Sequence, residues 1–345
     1  MDQGHITDEA PDALGYAPQD AGRRRVGRAG AWAAGLLLAG VSAVAGCRAA
    51  DTDGITPVPQ LLAFLPWLTV PTVAALLIAL LSRWRTGMVW GVVVLGSLAW
   101  FMEPYGSDSE PSSAPVSGIR VLASNVQFGR GTDALIDAIT RHRPGIVFVE
   151  ECDYECQDSL ARDSLETAYP YRQAVRAGGS EGSVILSVFP LKAAPGVAGT
   201  MGMPGATADV RGHSVRLQLA HPMPPLPGQT GVWRRELGRL ADFAAHGADE
   251  PTVVAGDFNA TQDHAAFRRI LAAGSLRDAS RLAGASRTPS WPSSAPAPLG
   301  TQIDHVLVGP DFSAEDVRFL ELADTDHRAV LADLTLHTPP STSGD

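Results

Sequence analysis

The hydrophobic positions fall into two textures along the chain. Up to residue 105 they form unbroken runs: Ala29–Gly46 gives 18 residues without a charge, Leu61–Leu81 gives 21 and Gly87–Met102 gives 16. About 20 helical residues span the hydrocarbon core of a bilayer. The runs therefore predict three transmembrane helices, about 29–46, 61–81 and 87–102, the third of marginal length. Pro66 and Pro71 kink the second or confine its regular helix to the latter half. Trp84, Trp100 and Tyr105 border the third with side chains suited to the membrane interface. A buried soluble bundle is the alternative.

From Gly118 the pattern shortens into apolar runs separated by turns. Strands are expected at Ile119–Ala123, Ile146–Val149, Ser183–Val188, Val215–Ala220, Thr252–Ala255, His305–Val308 and Ala329–Leu334. Helical spacing appears in Asp133–His142, in Trp233, Leu237, Leu240 and Phe243, and in Phe267, Ile270 and Leu271. Strands alternating with helices imply an α/β domain with at least one buried sheet. The expected organisation is an N-terminal tail (1–28), a membrane region (29–105), a Pro/Ser/Gly-rich linker (106–117), a folded domain (118–336) and a disordered tail (337–345).

Charge orients the membrane region. Arg23, Arg24, Arg25 and Arg28 precede the first run, and Arg83 and Arg85 lie between the second and third. Positive residues stay inside, which puts the N-terminus in the cytoplasm and the folded domain outside. Residues 106–345 carry 29 acidic against 20 basic side chains, so a broad footprint on a polyanion is not expected. Arg130, Arg234 and Arg235 are local candidates for phosphate contact, or a solvated face. Val44-Ala45-Gly46-Cys47 also reads as a lipoprotein cleavage site with Cys47 lipidated, or as an ordinary small-residue helix end. Cys152 and Cys156 can bridge only if the chain between them is not one continuous helix; two free thiols are the alternative.

Polar residues gather at the strand ends. Ser124-Asn125 follows the first strand and Glu150-Glu151 the second; His221 follows the fourth and Gly256-Asp257-Phe258-Asn259 the fifth. Asp304-His305 opens the sixth, and Asp326-His327 precedes the last. Carboxylates, amides and imidazoles with few thiols suit Mg²⁺, or Mn²⁺, better than zinc.

These elements, in this order, resemble the endonuclease/exonuclease/phosphatase superfamily over residues 118–336, with the three apolar runs resembling its bacterial membrane-anchored members. The resemblance implies a deoxyribonuclease-like sandwich of two sheets, four layers αββα, preceded by three transmembrane helices. It implies a metal site at Asn125 and Glu151, with Glu151 the direct ligand and Asp326 a further one. Asp257 would position and deprotonate the attacking water, and Asn259 would donate to a phosphoryl oxygen. Asp304 would orient His327, which stabilises the phosphorane or transfers a proton, and His221 would contact phosphate. Glu150 stands where glutamine is common; strand alternation admits one glutamate of the pair, and Glu151 is expected to be that one. His305 stands where an aromatic is frequent. Glu181 is the candidate acid for His221.

The expectation is a membrane-anchored, Mg²⁺-dependent hydrolase of phosphoric esters acting on phosphodiesters, nuclease-like. The alternatives are a phosphatase or phospholipase-type hydrolase of lipid headgroups, or a non-catalytic binding domain of the same fold. Its partners would be a phosphate ester, nucleic acid or phospholipid, and the bilayer itself.

Overall fold

The structure, a computed structural model, describes residues 1, 19–103, 111 and 113–337, with the backbone alone for residues 19–26, 163, 164 and 297. Most of the expected N-terminal tail, half of the expected linker, and the tail from residue 338 lie outside the described residues.

Side-chain alternation on the strands generates the layers. In β1 (Pro115–Asn125), Ile119, Val121 and Ala123 face one core while Leu122 faces another; in β2 (Ile146–Glu150), Ile146 and Phe148 oppose Val147 and Val149 in the same way. A strand buried on both faces reads as a continuous apolar run, and β2 is one. The remaining strands are β3 (Tyr171–Val175), β4 (Ser183–Ser187), β5 (Leu191–Ala194), β6 (Gly205–Val210), β7 (His213–Ala220), β8 (Thr252–Asp257), β9 (Arg277–Asp278), β10 (Asp304–Val308), β11 (Phe312–Glu321) and β12 (Arg328–His337). They form two six-stranded mixed sheets, in the orders β11-β12-β1-β2-β4-β3 and β5-β6-β7-β8-β10-β9.

Both sheets contribute to one inner core, which includes Phe148, Leu217, Val253, Val306 and Val330. On the outer face of the first sheet pack α5 (Thr132–His142), α6 (Tyr154–Leu160) and α7 (Asp163–Ala168), through Leu135, Ile139, Leu160 and Leu165. Outside the second pack α8 (Thr230–Ala245) and α9 (Ala265–Ala273), through Trp233, Leu237, Phe267 and Ile270; a short α10 (Ala279–Leu282) follows β9. This is the four-layer αββα sandwich. β1 begins at Pro115, inside the expected linker, because Pro115–Gly118 pair with His337–Thr335.

Cys152 and Cys156 form a disulfide. It is feasible because Cys152 precedes α6, whose N-cap Asp153 accepts from Cys156 N–H at 3.0 Å, so the two are not on one continuous helix.

Before β1 run α1 (Gln19–Ala49), α2 (Val58–Ala63), a 3₁₀ turn (Leu65–Leu68), α3 (Thr69–Leu81) and α4 (Arg85–Met102). Among the described residues, two helical segments are long and apolar enough to cross a membrane, Gly27–Ala49 and Arg85–Met102. This corrects the expectation of three transmembrane helices with the third marginal: the run that falls short is the second. The middle run is broken by the 3₁₀ turn around Pro66, and its apolar helical part, Leu65–Leu81, has 17 residues, while the third run is the one that stays regular throughout. Cys47 lies within α1 with a free thiol.

The chain divides into two compact units: residues 1–42 with 69–96, and residues 43–68 with 97–345. In the first, Ala34, Leu38, Ala75 and Ala79 are buried together and Trp90 Nε1 donates to Ser42 Oγ at 2.9 Å. Small side chains at such contacts let helices approach closely.

The second unit contains both sheets and also the segment after α1. Buried Asp53 accepts from Ala265 N–H and Ala266 N–H at 2.6 and 3.1 Å, capping α9, whose own N-cap residue His264 makes no capping bond. His264 Nε2 meets the Pro59 carbonyl at 2.8 Å, and Thr301 Oγ1 donates to the Ala63 carbonyl at 2.6 Å. Arg287 holds Asp263 through two bonds of 2.6 and 3.0 Å and reaches the Phe101 carbonyl at 2.9 Å.

Candidate active site

The pairings β1–β2, β7–β8 and β8–β10 bring Asn125 level with Glu150, Ala220 with Gly256, and Asp257 with Asp304. By strand parity Asn125, Glu150, Asp257 and Asp304 share the inward side of their strands with the core residues Ala123, Phe148, Ala255 and Val306. Polar side chains thereby close one end of the inter-sheet core.

They form a continuous network. Asn125 Nδ2 donates to Glu151 Oε1 and Asp257 Oδ2, each at 3.2 Å, and Asn125 Oδ1 accepts from Gln127 N–H at 2.9 Å. Glu151 Oε2 accepts from Phe128 N–H at 3.1 Å, and His221 Nε2 stands 3.8 Å from Glu151 Oε1. Asp257 Oδ1 accepts from Asn259 N–H at 2.8 Å. His327 Nδ1 is bonded to Asp304 Oδ2 at 2.9 Å, and its Nε2 lies 3.8 Å from Asp257 and 4.0 Å from Asp326. All eight residues expected at the site are thus in one constellation, with Glu151 and His327 joined through Asn125 and Asp257.

Alternation does not govern the glutamate pair. Glu151 adopts φ +54°, a left-handed conformation uncommon for a non-glycine residue, and so presents its carboxylate to the network immediately after inward-facing Glu150. Gln127, Phe128 and Asn259 also have positive φ, and such strain clusters at functional sites. Glu150 is fully buried, and neither of its carboxyl oxygens has a hydrogen-bond partner. Burial, and then the charges of Asp304 and Asp257, hold it well above the usual carboxylate range, which favours its neutral form.

Electrostatics separates the remaining roles. Burial, reinforced by Asp304, raises Asp257 to about 7 despite the opposing charge of His327. Burial would lower His327, but Asp304 and Asp257 overcome it and lift the imidazolium to about 10. Burial and the His327 charge push His221 down to about 3, leaving a neutral imidazole whose Nδ1 is unpartnered. The stabilisation that His327 gains from ionisation is fully present below its ordinary value of 6.5 and is lost as pH rises through about 10. In EDTA, the melting temperature is expected to fall between about pH 7 and 10, and His327→Gln should flatten that decline.

Asp257, Asp304 and His327 bring potential ligand atoms within 4.8 Å of one another. The Asp304–His327 bond makes this trio a hydrogen-bonded pair beside an acid. The oxygen donors for a divalent cation are better sought at Glu151, which burial raises above its ordinary value. A cation beside it would relieve that cost. Asp326 and the Asn125 amide offer further oxygen donors, the kind a hard divalent cation takes.

Some assignments change. Glu181 is exposed in a short 3₁₀ turn and does not bond His221; the acid nearest His221 is Glu151. His305 is a core residue, bonded to Asp278 at 2.7 Å and the Ala260 carbonyl at 3.0 Å, and stacked among Phe258 and Phe267. Arg234 donates to the Gly54 carbonyl at 2.6 Å and is not a free phosphate contact. Asn259 Nδ2 donates to the Pro222 carbonyl at 3.1 Å, holding the segment after His221 while its second N–H is left for a ligand.

Three supporting residues were not legible beforehand. Ser290 Oγ accepts from Ile303 and Asp304 N–H, Thr325 Oγ1 donates to the Asn125 carbonyl, and Trp291 Nε1 donates to Asp326 Oδ2 at 3.0 Å. Each acts across the fold, with no local spacing to announce it.

A family model for the endonuclease/exonuclease/phosphatase family matches residues 122–327. No curated protein matches the chain. Among solved structures, a humanised TDP2 from D. rerio is similar at a TM-score of 0.51 and 13% identity, covering 64% of this chain and 99% of that one. An endonuclease/exonuclease/phosphatase from Beutenbergia cavernae gives 0.47 at 21% identity, covering 66% and 74%. The human Nocturnin catalytic domain gives 0.48 at 14%, covering 65% and 95%. The first of these likenesses concerns the fold. With a family model spanning more than half of its length, the chain belongs to the endonuclease/exonuclease/phosphatase family.

Proposed function

We propose that the protein is a membrane-anchored, Mg²⁺-dependent phosphodiesterase with its catalytic domain outside the cytoplasm. The observation that carries the chemistry is the buried Asp304–His327 pair facing Asp257, Asn125 and Glu151. Asp257, anchored by two donors and raised to about 7, is positioned to take a proton from an attacking water. His327, charged at neutral pH and oriented by Asp304, offers Nε2–H to phosphoryl or leaving oxygen as charge develops. Asn259 contributes an amide donor. A divalent cation at Glu151, Asn125 and Asp326 would supply Lewis-acid neutralisation of the phosphoryl oxygens.

Full-length chain in detergent micelles is expected to hydrolyse bis(p-nitrophenyl) phosphate with Mg²⁺ and to lose at least about 10²-fold of that rate in EDTA. A rate indifferent to chelator would refute the mechanism. Parallel assays on plasmid DNA and RNA separate a nuclease from a diesterase that ignores nucleic acid.

The chain's path supports the anchoring. Residues 53–67 and 101–102 are bonded into the same unit, so the chain leaves it after Trp67 and returns before Phe101. Arg28 before α1 and Arg83 and Arg85 before α4 are the charges that the positive-inside rule keeps in the cytoplasm, and the proposed orientation rests on them. A phosphatase reporter active only outside the cytoplasm, fused after Asp345, should be active; silence there would reverse the orientation.

A further inference from the structure

An apolar pocket of about 450 Å³ lies in the unit that carries the site, within the size range of small-ligand pockets. One wall is Phe64, Pro66 and Trp67, which lead into α3, together with Met102, the last residue of α4. Most of the rest of the lining comes from the catalytic domain, Pro289 and Thr301 among it. The arginine in the wall, Arg287, is engaged by Asp263 and by the carbonyls that end α4. Little is left there to attract a polyanion, and residues 106–345 are acidic overall.

Two observations identify the occupant. The first is the neighbourhood. The pocket-wall segments run directly into α3 and α4, and Trp100 near the end of α4, in the same unit as the pocket, stands 75% exposed, as expected of a ring at a membrane interface. Trp67 and Met102 in the pocket wall are within two residues of those helices' ends, and Trp67 pairs a 38% exposed ring with an Nε1 bond to the Pro298 carbonyl. The second is continuity with the chemistry. Thr261 in the wall is two residues after Asn259, and Gln302 is two residues before Asp304. Pro289 is followed by Ser290, which holds Asp304 N–H, and by Trp291, which holds Asp326. The pocket walls and the catalytic rim are therefore the same stretches of chain.

The geometry points to a seat for the hydrocarbon chain of a lipid phosphodiester drawn from the bilayer, so that the substrate is an amphiphile whose headgroup ester reaches Asp257 and His327. This rests on the phosphodiesterase reading above and names its substrate class.

The test compares octyl and methyl p-nitrophenyl phosphate, which share a leaving group and differ only in chain, with the full-length protein in detergent micelles and Mg²⁺. The octyl ester is expected to have a kcat/KM at least about 10-fold higher. Ala63→Phe, which fills the pocket, should lower that ratio about 10-fold in the same micelles while leaving the methyl ester unchanged. Equal turnover of both esters by the unmodified chain, or an Ala63→Phe effect that is absent or equal on both, overturns the seat. Hydrolysis of neither ester sinks the phosphodiesterase reading itself.

A second measurement does not depend on turnover. A phospholipid carrying a diazirine on its acyl chain, photolysed in vesicles with the full chain, should label Pro289 or Thr301, and Ala63→Phe should suppress that label. Label confined to α1, α3 and α4 overturns the seat.

Discussion

Replacing Asp257 by asparagine is expected to lower kcat by about 10³-fold while leaving thermal stability unchanged or higher. The substitution keeps the shape and one acceptor oxygen for the Asn259 N–H, but it removes the group able to accept a proton from water. It also sets an amide N–H₂ against Asn125 Nδ2, so one of the two bonds that anchor position 257 is lost. On the stability side a buried carboxylate disappears, one whose charge burial and Asp304 already disfavour. Rate and stability should therefore move independently, which a merely structural residue would not allow. Paired measurements of kcat on bis(p-nitrophenyl) phosphate and of the melting temperature check both halves. A variant retaining activity within about 10-fold would remove Asp257 from the proton-transfer role.

Cutting the chain to residues 106–345 is expected to cost on the order of 3–5 kcal/mol of stability, even though both sheets remain. The deleted part carries Asp53, which caps α9 in place of any local side chain. It also carries the carbonyls of Pro59 and Ala63, partners of buried His264 and of Thr301. Without them, two helix N–H groups and an imidazole lose partners, and the buried Leu62, Leu65 and Leu68 are lost with the segment. Domains are stable by only about 5–15 kcal/mol, so a loss of this size is a large share. Asp53→Ala in the full chain isolates the cap and should cost about 1–2 kcal/mol, with faster amide exchange confined to the first turn of α9. A truncated domain as stable as the full chain would show these bonds to be incidental.

Strands buried on both faces were the most legible. Ile146–Val149 and Thr252–Ala255 stand out as apolar runs and become central strands. β3, β5 and β11 were missed because much of each is exposed, and an edge strand has little apolar pattern to display. β6 was missed although buried, since Gly205-Ala206-Thr207-Ala208 carries little hydrophobic bulk. The site was readable because its polar residues end strands whose apolar bodies were readable. Its supports were not: Ser290, Thr325 and Asp53 act on residues 14, 200 and 212 positions away. The same distance effect hid the membership of residues 43–68 in the larger unit, since a polar loop between apolar runs does not reveal what it packs against.

Gly256 has φ +140°, and a methyl group there would come within 2.3 Å of the Ala220 carbonyl oxygen and 2.6 Å of Glu150 Oε1. The sandwich is thus pinched shut beneath the reacting groups, with no slack for a larger residue to be absorbed by neighbouring backbone. A side chain added at this strand end would have to displace backbone directly under the reacting groups, so room for a different substrate has to come from the connecting segments around the site and not from this strand end.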